Sequence, residues 1–400
     1  MTRPLTIVID GRTVFDEPRR GIAKTTVAQY RALAAIRPAW RFRFFYAEGT
    51  QADPFADLPN VSCERLRMKG DRLDLWPRLR LPLAVACARP DLFHAAAGVA
   101  PMFPGAPVVT TLNDLIPLES GRTDAAALAW VANVRRTACR ARAILTPSEF
   151  TKGRVAAHLG VTPAKVHVVP WASTSPPARP SPGQLTEVRA RFGVPPGERY
   201  VLHFGMADPR KNTAGLLRAW TRVPAAARRG VRLVVVGLSD AGRAELAAQF
   251  APQPSLGDGV GISGYVSEQD VGVLLAGAEV LAYPTLYEGF GLPILDGFAA
   301  GVPVLTGRTT SLPEVAGDAA LVVDAADPDA LAGGLARLLL DTECRAEYAA
   351  RGAARAARFT WPHAAELTAR IWEWTSDGAT PAPAATPTRP WRDSSPGRRT

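Results

Sequence analysis

Short runs of β-branched and aliphatic residues alternate along the chain with stretches of helical period. Thr6–Asp10, Phe42–Glu48, Asp91–Ala96, Val108–Asp114 and Ala143–Ser148 read as strands, and Lys165–Trp171 closes the set. Gly21–Ile36, Pro77–Ala88, Asp124–Arg140 and Glu149–Leu159 read as the helices between them. Alternation of this kind implies a parallel sheet covered on both faces. The stretch 172–183, ASTSPPARPSPG, then breaks the pattern with four prolines in twelve residues and reads as a linker.

A second alternating series follows, with strands at Tyr200–Met206, Arg232–Leu238, Val260–Gly264, Val280–Thr285, Val302–Gly307 and Ala320–Asp324. The expected organisation is therefore α/β, with two Rossmann-like, doubly wound domains at 1–171 and 184–360. Such sheets bind ligands at the carboxyl ends of their strands, so a cleft facing both domains is expected. Residues 327–358 and 361–376 are amphipathic, and the second piece is expected to pack back toward the first domain. Residues 377–400 carry five prolines and few apolar side chains, the composition of a disordered tail.

Size and composition narrow the classes. Four hundred residues suit two cores, and 47 % hydrophobic with 21 % charged residues is the balance of a soluble globular protein. Cys63, Cys87, Cys139 and Cys344 lie far apart with no paired spacing, which argues against a disulfide framework or structural zinc and fits a reducing compartment. The apolar run before Asp10 is too short for a signal peptide, and no stretch approaches the ~20 apolar residues of a membrane span. A cytoplasmic protein is expected, with the inner face of the membrane as a possible station. Net charge is +10, and all the excess falls in residues 1–170, where 24 Lys+Arg face 14 Asp+Glu. That half could meet an anionic membrane or a phosphorylated acceptor. Two mixtures of cations and aromatics there, Trp40–Phe45 and the group Arg65, Arg67, Lys69, Arg72, Trp76, Arg78 and Arg80, suit such a surface. The first also fits a plain strand.

The chemistry is concentrated in the second series. Residues 200–212, YVLHFGMADPRKN, are a buried strand ending in Gly205, followed by Arg210 and Lys211 just before a helix at Thr213. Glycine at a strand end lets a phosphate approach the backbone, and paired cations at a helix start match a diphosphate. Lys211 is the only lysine after Lys165 in an otherwise Arg-rich half, which suggests a demand for a point charge. At 283–301 a strand runs into the turn Glu288, Gly289, Phe290, Gly291, and a helix is expected from Leu292 with Pro293 in its first turn. The amides of that helix start can hold an anion. Glu288 and Asp296 flank the same place, and sugar and ribose hydroxyls suit carboxylates there better than phosphate does.

Residues 200–325 resemble the donor domain of glycosyltransferase family 4, the retaining enzymes of GT-B fold. The matching segments are YVLHFGMADPRKN, the run 262–307 and SLPEVAGDAALVVD at 311–324. The resemblance implies that Glu288 contacts the transferred sugar and that Arg210 and Lys211 neutralise the diphosphate. It implies also that Asp296, where relatives carry Glu, holds the ribose. Residues Ile9–Arg12, followed by Arg20, Gly21 and Ile22 before a helix, resemble the family's first-strand loop, which approaches the donor phosphates. Asn113 and Asp114 stand where many relatives have His-Asp, and Asn can bond a hydroxyl but cannot ionise. His94 is the nearest substitute sugar or acceptor contact, although a lone histidine after a buried strand also fits a core position.

The expected activity is retaining hexosyl or deoxyhexosyl transfer from a nucleotide-sugar, of GDP-mannose type, to a glycan or lipid-linked acceptor. Polysaccharide or lipopolysaccharide synthesis is the expected setting. No DxD pair or His/carboxylate cluster offers a metal site, so no metal and no cofactor are expected. A same-fold hydrolase, phosphorylase or non-catalytic sugar-nucleotide binder stays open. A basic nucleic-acid-binding protein would need an RNP, helix-turn-helix or OB signature, and a dinucleotide-dependent oxidoreductase would need GxGxxG after the first strand; neither is present.

Overall fold

The computed structural model describes residues 3–15, 21–49, 52–68, 75–175, 179–206, 208–250 and 259–378. Arg20, Lys69, Arg72 and the expected tail from 379 onward lie outside the described residues. The described chain forms two units, one running to Trp171 and resuming at Thr360, the other covering Ala172–Phe359.

The first unit is built on a parallel sheet of β1 (Thr6–Asp10), β2 (Arg41–Tyr46), β3 (Val61–Arg65), β4 (Leu92–Ala95), β5 (Val108–Thr111), β6 (Ala143–Thr146) and β7 (Val166–Val168). Its order is β3-β2-β1-β4-β5-β6-β7, so the direction of strand addition reverses between β1 and β4. The inner strands β1, β4, β5 and β6 are buried on both faces. Ile7 and Ile9 enter one apolar cluster with Tyr30, Leu33 and Trp372, while Val8, between them, enters the opposite cluster with Trp76, Leu81 and Val85. β3 has no counterpart among the sequence-derived strands. It is an edge strand paired in register with β2, Phe42 beside Val61, and Ser62, Glu64 and Arg65 are exposed, so it lacks the apolar run that marks its neighbours.

The helix Trp361–Ser376 belongs to this unit. It lies against the helix Gly21–Ile36, where Gln29 Nε2 donates to Thr368 Oγ1 at 2.8 Å and Arg37 meets Glu366 at 3.1 Å and Glu373 at 3.2 Å. Trp372 is fully buried between Trp40 and Tyr30.

The second unit repeats the plan with β8 (Arg199–Phe204), β9 (Val231–Val236), β10 (Val260–Ile262), β11 (Val280–Tyr283), β12 (Val304–Gly307) and β13 (Leu321–Val323). All pairs are parallel and the order is β10-β9-β8-β11-β12-β13, which puts the reversal between β8 and β11. The proline-rich stretch read as a linker up to Gly183 ends sooner. A helix starts at Pro182, because Ser181 and Gln184 form a reciprocal capping box that satisfies two backbone amides. The amphipathic run 327–358 is two helices, Pro328–Leu340 and Thr342–Ala356, separated by Asp341, whose carboxylate caps the second at Cys344 N. No helix among the described residues is long and apolar enough to cross a membrane.

Candidate functional site

In a doubly wound sheet the crevice opens where strand order reverses, beyond the carboxyl ends of the strands. In the second unit that place lies past β8 and β11, and the loops leaving those two strands carry Arg210, Lys211 and Glu288. Lys211 closes a short 3-10 turn, Pro209–Lys211, that Asp208 caps through Arg210 N at 3.0 Å. Asn212 follows in the left-handed region at φ 55° and donates from Nδ2 to Ala325 O at 2.6 Å and Pro284 O at 3.3 Å. This amide ties the cation loop to the loop after β11. Leu286 N to Arg210 O, 2.7 Å, is a second tie.

The result is a compact charged cluster. Lys211 Nζ donates to Glu288 Oε1 at 2.6 Å and to the Tyr283 hydroxyl at 3.1 Å. Tyr283 Oη donates to the same Glu288 oxygen at 2.7 Å, and Thr285 Oγ1 lies 3.2 Å from it. The side chains of Lys211 and Glu288 are 14 % and 15 % exposed, enough to reach a ligand yet poor in screening water. Burial and the neighbouring Glu288 carboxylate push the Tyr283 hydroxyl well above its usual range, so it stays protonated. Arg210 pairs with Asp208 and reaches Tyr287 O at 3.4 Å.

Gly289, Phe290 and Gly291 are buried beneath this cluster and lead into the helix Leu292–Ala299. Gly291 adopts φ 105°, where a Cβ would stand 3.1 Å from Leu312 and 3.3 Å from Ile294, so glycine is required. Gly205 is needed for space, since its Cβ would come within 2.8 Å of Val235. The loop after β12 braces the turn from behind. Ser311 Oγ donates to Glu288 O and Phe290 O at 2.9 and 2.8 Å, and Thr310 Oγ1 accepts from Glu288 N at 3.2 Å. Thr310 holds φ 60°, a conformation that costs a β-branched residue energy and persists where surrounding contacts enforce it.

Asp296 lies close enough to the Lys211–Glu288–Tyr283 cluster for its charge to act on the Tyr283 hydroxyl, and the remaining sequence-derived residues belong to the first unit. Asp296 Oδ1 accepts from Ser173 Oγ at 2.6 Å and from Thr174 N and Ser175 N at 3.2 and 3.4 Å, which anchors the start of the second unit to the helix behind the turn. His94 is not a surface contact. It is 1 % exposed, with Nδ1 2.5 Å from the Tyr30 hydroxyl, Nε2 2.8 Å from Thr111 Oγ1 and Trp372 packed at 5.2 Å. Burial lowers its pKa to about 3, so the ring is a neutral core element. Asn113 and Asp114 are half-buried just past β5, where Asp114 Oδ1 accepts from Ile116 N at 3.0 Å. Gly21 begins its helix exposed, with open space around a would-be Cβ. The Trp40–Phe45 aromatics are core residues of the β2 region, and Trp76 is buried too, so neither offers an aromatic surface.

Tyr283, Thr285, Asn212, Thr310 and Ser311 carry roles that sequence reading did not assign. Tyr283 and Thr285 stand in the quoted strand end as hydroxyl-bearing residues before an acid, a signal that was readable. Thr310 and Ser311 come from a segment that only the fold brings near.

Residues 185–355 match the family model described as Glycosyl transferases group 1, and residues 20–172 match that of Glycosyltransferase Family 4. The chain is similar to O-antigen chain mannosyltransferase B of Escherichia coli, 32 % identical over 233 residues, 58 % of this chain and 61 % of that protein. It is similar also to MMP alpha-(1->4)-mannosyltransferase of Mycolicibacterium hassiacum, 30 % identical over 286 residues, 67 % of this chain and 66 % of that protein. The chain thus spans somewhat under two thirds of the length of these curated relatives. Among solved structures, Anabaena Alr3699/HepE in complex with UDP and glucose superposes with a TM-score of 0.71 at 18 % identity, covering 92 % of this chain and 99 % of that one. WaaG, a glycosyltransferase involved in lipopolysaccharide biosynthesis, gives 0.72 at 17 % identity with 92 % and 99 % coverage. These likenesses establish the fold as that of GT-B glycosyltransferases.

Proposed function

The chain belongs to glycosyltransferase family 4, and from that premise we propose that it moves a sugar from a nucleotide-sugar to a glycan or lipid-linked acceptor with retention of configuration. The observation that carries this reading is the Lys211–Glu288–Tyr283 cluster at the reversal point of the second sheet. Lys211 and Arg210 supply positive charge for a departing diphosphate, and the amino end of the helix at Leu292 adds its dipole. Glu288 then accepts hydrogen bonds from hydroxyls of the sugar. Its Oε1 already receives Lys211 and Tyr283, which blunts it as a nucleophile and favours a front-face course. In that course the acceptor oxygen bonds to the anomeric carbon on the face the phosphate leaves, and a departing phosphate oxygen takes the acceptor's proton.

Two cations do the work that a divalent metal does elsewhere, so turnover is expected to survive EDTA. Strict dependence on Mg²⁺ or Mn²⁺ contradicts the proposal. A mannose-type GDP-sugar is the proposed donor, supported by the two mannosyltransferases among the relatives. The HepE complex makes UDP the competing base. A thermal-shift panel of nucleoside diphosphates, followed by release assays with GDP- and UDP-sugars, decides between them; release without transfer to any acceptor favours a hydrolase. Synthesis of a cell-surface polysaccharide is the proposed setting. Peripheral contact with an anionic membrane is proposed for the first unit, supported by exposed Leu79 and Leu83 beside exposed Arg78 and Arg80. Failure to co-sediment with anionic vesicles at low salt ends that proposal.

A further inference from the structure

Ligands of doubly wound sheets bind beyond the carboxyl ends of the strands. A cavity of about 420 Å³ opens at the other edge of the first sheet, by the amino ends of β5 and β6. Arg142 stands just before β6, and the last turns of the helix Ala125–Arg140 contribute Arg136 and Arg140. The segment entering β5 closes the cavity with Pro101, Phe103 and Pro104, and Ala100 N fixes that segment by donating to Thr137 Oγ1 at 3.0 Å. The size falls in the ~300–1,000 Å³ range of small-molecule clefts. Nothing in the transfer chemistry above uses this cavity.

Three guanidinium groups converge here, and no carboxylate is among the residues that line the cavity. Each is held by a neutral acceptor: Arg136 NH2 donates to Asn133 Oδ1 at 2.8 Å, Arg140 NH1 to Met102 O, and Arg142 NH1 to Thr375 O at 2.8 Å. None of the three forms an ion pair among the described residues. The nearby helix end does not account for the charge. Its last carbonyls, Ala138 O and Cys139 O, accept from Lys165 Nζ at 2.7 and 2.8 Å, so the helix dipole already has its cation. Charges of one sign gathered between low-dielectric walls focus their field and raise the local concentration of anions. Phe103 stands 67 % exposed beside them, its ring centroid 5.6 Å from the Arg140 guanidinium, so an exposed aromatic ring adjoins the charge.

From this arrangement we propose that the cavity is an anion site, separate from the donor machinery, and that it takes a phosphate group whose carrier lays an apolar part on Phe103. It stands independently of the transferase reading. Guanidinium forks match phosphate oxygens two at a time, and no lining carboxylate competes for them. Phe103, Pro101 and Pro104 give the carrier a nonpolar wall. The carrier is either a soluble phosphate ester or an anionic lipid whose headgroup enters the cavity, and both present the same chemistry to the arginines. Part of the positive excess of residues 1–170 thereby acts at the edge of the sheet away from the carboxyl strand ends.

Isothermal calorimetry tests this with inorganic phosphate and phenyl phosphate on the full chain carrying Lys211→Ala, which removes the lysine read as binding the donor phosphates. Both probes should bind, phenyl phosphate the more tightly. Arg140→Gln, at an exposed position, should weaken both about tenfold, the effect of losing one charge-assisted hydrogen bond, with the melting curve unchanged. Phe103→Ser should weaken phenyl phosphate alone. Co-sedimentation of the chain with phosphatidylglycerol vesicles then identifies the carrier. Pelleting that falls in Arg140→Gln and on addition of phenyl phosphate assigns the site to a lipid headgroup. Phenyl phosphate binding with pelleting indifferent to both assigns it to a soluble ester. Silence from both phosphate probes together with pelleting that Arg140→Gln leaves unchanged overturns the proposal, as does phosphate binding that the same variant leaves within about twofold.

Discussion

The Tyr283 hydroxyl touches both members of the Lys211–Glu288 pair, and the ring that carries it is buried in the strand end. Tyr283→Phe keeps the ring and removes only those two bonds, so folding should persist while turnover drops about tenfold, the worth of a hydrogen bond to a charged group. Steady-state kinetics with a matched melting curve measure both. His94 makes a different prediction. Its folded pKa lies near 3, below the ordinary value of 6.5, so the unfolded chain takes up the proton first as pH falls. Stability from this residue is complete above about pH 6.5 and declines toward pH 3, by about 1.4 kcal/mol per unit. His167 and His203, lowered by burial to about 4, add slopes of their own in the same window, so chemical denaturation between pH 7 and 4.5 should show a slope in His94→Gln smaller than that of wild type by one proton. Acid sites of this kind were legible in the sequence only as residue types. The spacing of Glu288, Arg210 and Lys211 against a strand end and a helix start could be read directly. The bonds that join them could not, because Asn212 reaches partners 72 and 113 residues away, and Thr310 and Ser311 act across strand neighbours that the order of the sheet decides.

At the scale of elements, strands buried on both faces announced themselves, since a continuous apolar run needs no partner to be recognised. β3 did not, because an edge strand with exposed residues has no such run. The helix from Pro182 was hidden by prolines that suit a linker and a first helical turn equally well. The turn at Gly291 shows how local conformation holds the helix Leu292–Ala299 in place. Gly291→Ala forces a side chain into φ 105° against Leu312 and Ile294, and should lower stability by about 1–3 kcal/mol. A larger loss of nucleoside diphosphate affinity than of melting temperature would show that the turn geometry serves the ligand as well as the fold.

Across the whole molecule, the chain folds one unit around two distant stretches. The helix Trp361–Ser376 seals the first unit although it follows the second in sequence, and Trp372 is its fully buried anchor. Trp372→Ala should destabilise by about 3–5 kcal/mol, and hydrogen exchange should find the loss in the first sheet with the second protected as before. The amphipathic pattern at 361–376 foretold a packed helix; its tryptophan core needed the fold to be seen. The account as a whole depends on side-chain cations, rather than a metal, carrying the charge of a departing diphosphate. The direct measurement is the rate of nucleoside diphosphate release from a GDP- or UDP-sugar, in EDTA, by wild type and by Lys211→Ala. Release should persist in wild type and fall by roughly 10²–10³ in the variant, the loss typical of one preorganised charge-stabilising donor. A wild-type rate that vanishes without added metal, or a variant within about threefold of wild type, would contradict it.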